Sequence, residues 1–235
     1  MKAMILAAGL GTRLKPFTEQ HPKALLPING KSLLQRNIIY LQQAGITDVV
    51  VNVHHFASQI IDTINHNNGW GSYVTISDET NEVLETGGGL LKAAPLLKEG
   101  NEAFVLMNAD ILTDMDLQAM IAQHQQSQAL ATLAVTNRTS SRNLLFDENH
   151  YLCGWRNNNT GELKGKSGQA KAFSGIHILE PNIFDEITET GKFSMIDVYM
   201  RLCTTQKINA YDHSHTHLID VGKPESIAIA ESLFS

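Results

Sequence analysis

Apolar runs of strand length alternate with segments of helical periodicity through the first half of the chain. KAMILAA, residues 2–8, is a continuous apolar run of the kind found in a strand covered on both faces. A polar loop marked by Gly and Pro follows to about Gly30. SLLQRNIIYLQQAG then sets Leu34, Ile38 and Leu41 on one helical face, with Ser32 as cap and Gly45 as stop. DVVVNV at 48–53 predicts a second strand, followed by a helix near 56–67, a strand near 73–77, a Gly-rich turn at 87–89 and a helix through Leu97. AFVLMN at 103–108 is a third buried strand, and Asp110 sits just past its carboxyl end.

This alternation predicts an α/β fold built on a Rossmann-like, doubly wound, mostly parallel sheet. Such sheets bind ligands outside the carboxyl ends of their strands, which puts the loop after residue 8 and the loop at Asp110 on one rim. From about residue 129 the pattern shortens. The pieces ATLAV, NLLFD, YLCGW and AFSGIHIL, separated by polar turns, predict a small mixed β addition. Helices near 181–189 and 195–205, a strand near 207–211, the strand HLIDVG and a helix over 224–233 complete the reading. No repeat or linker divides the sequence, so residues 1–235 are expected to form a single domain.

Composition narrows the classes. With 43% hydrophobic and 18% charged residues the chain reads as globular. No apolar stretch approaches the ~18 residues of a membrane span, and the short run at the start leads into Gly9, Gly11 and Arg13 rather than a cleavage site. Cys153 and Cys203, far apart and outside any CxxC spacing, give neither a disulfide framework nor a thiolate zinc site, and a reducing, cytoplasmic setting is expected. The net charge of −6 disfavours nucleic acid and anionic membrane as partners. Its distribution is uneven: Lys2, Arg13, Lys15, Lys23 and Lys31 face only Glu19 in residues 1–31, so a small anionic ligand is expected near the start.

Four groups of residues carry candidate chemistry. In LAAGLGTRLKPFT, Gly9 and Gly11 let backbone amides approach phosphate oxygens, Thr12 adds a hydroxyl and Arg13 a forked donor. Leu14 replaces the third Gly of a dinucleotide fingerprint and no GKS or GKT follows, so the loop is neither of those phosphate motifs. Lys23, between Pro22 and Pro27, suits a point charge aimed at phosphate, although alone it would read as a solvated lysine. The glycines of ETGGG offer backbone against which a flat ring could lie, or simply a turn. Asp110 and Asp220 each follow an apolar run and together could hold Mg²⁺, whose other positions substrate phosphates and water would fill. His213, His215 and His217 alternate as on one strand face; zinc there is a weaker reading than a polar exposed face. His54, His55 and His177 have no readable role.

Together LAAGLGTRLKPFT, PKALLP, ETGGG, NAD, FSGIHIL and IDVGKPE resemble the sugar-nucleotidyltransferase family, over nearly the whole chain. Within it the chain is similar to the short uridylyltransferases of cell-wall recycling that act on N-acetylmuramate 1-phosphate. The resemblance implies the nucleotide-diphospho-sugar transferase type of fold, with UMP passing from UTP to a sugar 1-phosphate and pyrophosphate leaving. It implies that Gly9, Gly11, Thr12, Arg13 and Lys23 meet the triphosphate, with Ala7, Ala8, Glu85, Gly87 and Gly88 near the nucleoside. Asn108, Asn143 and Gly175 would face the sugar phosphate, and Asp110 and Asp220 would hold magnesium. Arg13 and Lys23 would be the catalytic cations, since an anionic sugar phosphate attacks without a protein base but must overcome repulsion from the triphosphate. The EKP motif of hexose 1-phosphate relatives is absent, as is any hexapeptide repeat. A guanylyl- or cytidylyltransferase acting on mannose, heptose or choline phosphate is the alternative within the family, and a non-catalytic nucleotide sensor the alternative outside it. No feature sets an oligomeric state.

Overall fold

Residues 1–234 are described by a computed structural model. The first apolar run forms β1 (Ala3–Leu6), inside a ten-stranded sheet. Past a loop of short turns and a small ribbon, β2 (Pro27–Ile28) and β3 (Lys31–Ser32), comes α1 (Leu33–Gln43), whose first turn is capped by the Ser32 hydroxyl accepting from the Gln35 amide at 3.1 Å. The next elements are β4 (Asp48–Val53), α2 (Ala57–His66), β5 (Tyr73–Asp78), α3 (Glu85–Lys92), α4 (Ala94–Leu97) and β6 (Phe104–Asn108). β1 pairs in parallel with β4 on one side and β6 on the other, and β5 extends the parallel set beyond β4. The expected doubly wound core is therefore present.

Alternation along these strands sorts their side chains onto two faces. Ile5, Val51 and Met107 pack with Leu34, Ile38 and Leu41 of α1 and Ile60 of α2. Met4, Val50 and Leu106 pack on the opposite face with Leu90 of α3 and Leu97 of α4. Burial on both sides explains why the strands read as unbroken apolar runs rather than as alternation.

The remaining elements are β7 (Ile111–Thr113), α5 (Leu117–Ser127), β8 (Ala131–Thr136), β9 (Arg142–Phe146), β10 (Leu152–Asn157), β11 (Leu163–Gly165), β12 (Gln169–Leu179), α6 (Ile183–Glu186), α7 (Met195–Leu202), β13 (Ile208–Asp212), β14 (Leu218–Asp220) and α8 (Pro224–Leu233). The mixed β addition is built on β12, an 11-residue strand antiparallel to β6, β8 and β9. A register irregularity between Phe173 and His177 lets its two halves serve different neighbours. β14 pairs with β7 away from the main sheet, and this pairing draws Asp220 to the Asp110 loop.

Two expectations are corrected. The glycines at 87–89 are not a turn before a helix: they lie inside α3, which ends at Lys92, and α4 follows as a separate short helix. Close packing overrides their low helix propensity. The three alternating histidines do not share a strand face, because β13 stops at Asp212 and the chain turns. His213 is buried between the Ser174 and Thr216 hydroxyls, both at 2.8 Å, whereas His217 is exposed and bonds Asp114. Among the described residues no helix is long and apolar enough to cross a membrane.

Candidate active site

The carboxyl ends of β1 and β6 open onto a cleft of about 530 Å³ lined by Ala7 through Arg13, Lys23, Asn52, Glu85, Thr86, Asn108 and Asp110. The loop after β1 is fixed from behind by Asn52, a buried side chain near the end of β4. Its Oδ1 accepts from the amides of Ala7 at 2.6 Å and Ala8 at 3.3 Å, and its Nδ2 donates to Glu79 Oε1 at 2.8 Å. Glu79 is buried just past β5; its other oxygen, Oε2, has no hydrogen-bond partner among the described residues, and burial pushes its carboxyl pKa up. Neither Asn52 nor Glu79 stood out in the sequence. A lone Asn in DVVVNV is nevertheless a signal, since a polar amide inside a buried strand must find partners.

Gly9 faces open space, whereas Gly11 packs against Lys23 and Thr18 and turns the loop in the left-handed region at φ 62°. The Gly11 carbonyl is held by the Leu14 amide at 2.9 Å and the Thr18 hydroxyl at 3.0 Å, so the turn bearing Thr12 and Arg13 is tied to the protein at its base. Arg13 is exposed and crosses over Gly222, just past β14. A Cβ at Gly222 would lie 2.8 Å from Arg13 Nη2 and 2.6 Å from Asp220 Oδ1, so guanidinium and carboxylate both crowd the same space over that glycine.

Asp110 stands between β6 and β7 and is held by its backbone. The Ala109 carbonyl accepts from buried Asn37 Nδ2 at 2.8 Å, and the Asp110 carbonyl accepts from the Val221 amide at 2.9 Å. Its carboxylate pairs with the Lys23 ammonium, so the lysine is aimed into the cleft rather than into solvent. Partial burial and the like charge of Asp110 raise the pKa of Asp220, while Lys23, Arg13 and Arg138 oppose that rise.

On the opposite wall Asn108 ends β6 and faces Gly175, which sits in the β12 irregularity at φ 75°. A Cβ at Gly175 would fall 2.9 Å from Asn108 Nδ2, so these two expected sugar-facing residues are in contact. Asn143 is elsewhere: it is buried in β9, where its Oδ1 accepts from Asn158 Nδ2, and it does not line the cleft. Glu85 lines the cleft and lies 3.5 Å from Lys192. Gly87 and Gly88 do not. A Cβ at Gly87 would strike the Phe193 ring at 2.3 Å, and one at Gly88 the Gly191 carbonyl at 2.3 Å, so both are packing positions behind the wall. The Gly87 amide is also spent on the Phe193 carbonyl at 2.9 Å.

The cleft thus combines a loop rich in amides, two cations and two carboxylates, a set suited to polyphosphate with a divalent ion. Residues 2–144 match the family model described as nucleotidyl transferase. The chain is 33% identical to N-acetylmuramate alpha-1-phosphate uridylyltransferase of Neisseria meningitidis serogroup B, covering 99% of this chain and 98% of the relative. It is 31% identical to the enzyme of the same name from Caulobacter vibrioides, over 88% of this chain and 86% of the relative. The fold matches HddC from Yersinia pseudotuberculosis, solved in complex with GMP-PN, with a TM-score of 0.79 and 25% identity, covering 100% of this chain and 99% of that one.

Proposed function

The chain belongs to the nucleotidyl transferase family and is a sugar 1-phosphate nucleotidyltransferase, and from that premise we propose that it transfers UMP from UTP to N-acetylmuramate 1-phosphate. The observation that carries this reading is the convergence of Arg13, Lys23, Asp110 and Asp220 at one end of the cleft, beside the Ala7 to Arg13 loop. The near end-to-end match with the Neisseria relative supports uridylyl transfer by residues 1–235 acting as one unit.

The donor set fits a magnesium ion. Asp110 and Asp220 bring two carboxylates together, and burial, joined by the like charge of Asp110, raises the pKa of Asp220, an unfavourable setting for its anion that a cation would offset. Mg²⁺ commonly takes one or two carboxylates and leaves its other positions to phosphates and water. When bound, it would supply Lewis-acid charge to the phosphates of both substrates.

The protein's own side chains account for the rest. A phosphate oxygen of the sugar attacks the α-phosphorus of UTP, forming one P–O bond while the bond to the β-phosphate bridging oxygen breaks and pyrophosphate leaves with that electron pair. The attacking group is already ionised, so no Ser, Cys or His nucleophile is required. Arg13, reaching over Gly222, offsets charge on the departing pyrophosphate. Lys23 moves from the Asp110 carboxylate to the α-phosphate, where charge develops. The Asn52 clamp holds Ala7 and Ala8 as a fixed wall for the nucleoside, and Asn108 with Gly175 forms the sugar wall.

HddC with its guanine nucleotide favours a second reading, guanylyl transfer on the same scaffold. A grid of four nucleoside triphosphates against several sugar 1-phosphates with magnesium, read by pyrophosphate release, separates the two. UTP with N-acetylmuramate 1-phosphate is expected to give the highest kcat/KM; a preference for GTP would replace the proposed reaction with the second.

A further inference from the structure

Arg138 follows β8, and the sheet topology brings it to the sheet edge on which the cleft opens, outside the cleft's own lining. β8 and β6 are both antiparallel to β12, so their carboxyl ends lie at the same edge, Asn108 at one and Arg138 just past the other. Between them β12 carries Gly175, which touches Asn108. The exposed guanidinium donates from Nη2 to the Phe173 carbonyl at 2.9 Å, two residues before Gly175. Its charge also reaches His213, whose ring bonds Ser174 beside that glycine.

Two nearby acids are engaged elsewhere, Asp212 with the buried Lys171 ammonium and Asp114 with His217, while Asp220 feels the Arg138 charge without pairing with it. Arg138 itself makes no ion pair among the described residues and spends one of its five donors on a carbonyl. It is therefore an anchored cation with an open binding edge. Arg13 and Lys23, which serve the phosphates, approach from the loop after β1 instead.

N-acetylmuramate 1-phosphate bears a second anion besides its phosphate, the carboxylate of its lactyl ether, which glucose, mannose and N-acetylglucosamine phosphates lack. We propose that Arg138 is the specificity-determining residue that binds this carboxylate, an inference that rests on the uridylyltransferase reading above. A guanidinium held at one edge matches a carboxylate with paired N–H donors.

The test measures wild type, Arg138→Ala and Arg138→Lys by pyrophosphate release with UTP, using N-acetylmuramate 1-phosphate as substrate and N-acetylglucosamine 1-phosphate as competing inhibitor. A charge-assisted contact of this kind predicts a rise of about 10- to 100-fold in KM for the muramate in Arg138→Ala. Arg138→Lys is expected to recover part of it. The KM for UTP and the inhibition constant of N-acetylglucosamine 1-phosphate, which lacks the lactyl carboxylate, are expected to stay within about twofold, which also shows that the variant is folded. A parallel loss for both sugars, or no loss for either, overturns the proposal. Wild type that turns over sugar phosphates lacking the lactyl carboxylate but not the muramate overturns it while leaving nucleotidyl transfer intact. Wild type inactive with UTP and every sugar phosphate overturns the functional reading itself, before any variant is compared.

Discussion

The residues that shape the proposed nucleotide wall differ in how plainly the sequence displays them. Gly9, Gly11, Arg13 and Lys23 stand in a marked loop, and their chemistry is visible from residue type and spacing. Asn52 was not visible, because its role depends on the parallel pairing that sets it opposite Leu6 and so beside the Ala7 amide. Glu79 depends in turn on Asn52. Asn52→Ala would strip two loop amides of their acceptor and Glu79 of its donor. Each unsatisfied buried group costs about 1–3 kcal/mol. Thermal melting and UTP titration of this variant are expected to show a fall in Tm of several degrees and a nucleotide affinity weaker by about tenfold. Wild-type affinity would mean that the loop holds its shape without the clamp.

Among the elements, buried strands are the most legible, as DVVVNV at 48–53 forms β4 over the same span. Helix α3 is hard to read because three consecutive glycines have poor local helix propensity; packing explains them, Gly87 and Gly88 against the 191–193 segment and Gly89 against Glu79 and Asn52. The mixed strands after residue 137 were read coarsely, since their pairing runs through β12 and its irregularity rather than through neighbours in sequence. Asn143 lies in that stretch, where its own hairpin engages it through Asn158. The packing account of α3 makes its own prediction. Gly87→Ala forces a methyl into the Phe193 ring, and overpacking of this kind costs about 1–3 kcal/mol. A drop in Tm is expected together with a rise in KM for UTP, because Glu85 and Thr86 at the start of α3 line the cleft. Unchanged melting would show that the 191–193 segment yields freely.

Across the whole molecule, the rule that ligands bind at the carboxyl edge of a parallel sheet was sufficient to put the Gly9 loop and Asp110 on one rim. It did not reveal how Asp220 reaches that rim, which takes the separate β14–β7 pairing. The same interior that fixes this geometry sets the molecule's response to acid. Burial lowers the pKa of His177 to about 3 and of His213 to about 4, against 6.5 for a free imidazole. Unfolded chains take up these protons as pH falls below 6.5 and folded chains do not, so this contribution to stability is complete above 6.5 and is lost as pH falls toward 4. His177→Gln is expected to give a shallower decline of Tm with falling pH than wild type. Parallel curves would assign acid sensitivity to other groups.

In the proposed reaction the cleft brings two repelling phosphates into line between a cationic loop and paired aspartates. The most direct measurement is the steady-state kinetics of Asp220→Asn with UTP, N-acetylmuramate 1-phosphate and magnesium. A fall in kcat of about 100-fold or more with KM for UTP changed less than about threefold is predicted, as for loss of charge stabilisation felt at the transition state. A kcat within a factor of about two of wild type would contradict the account.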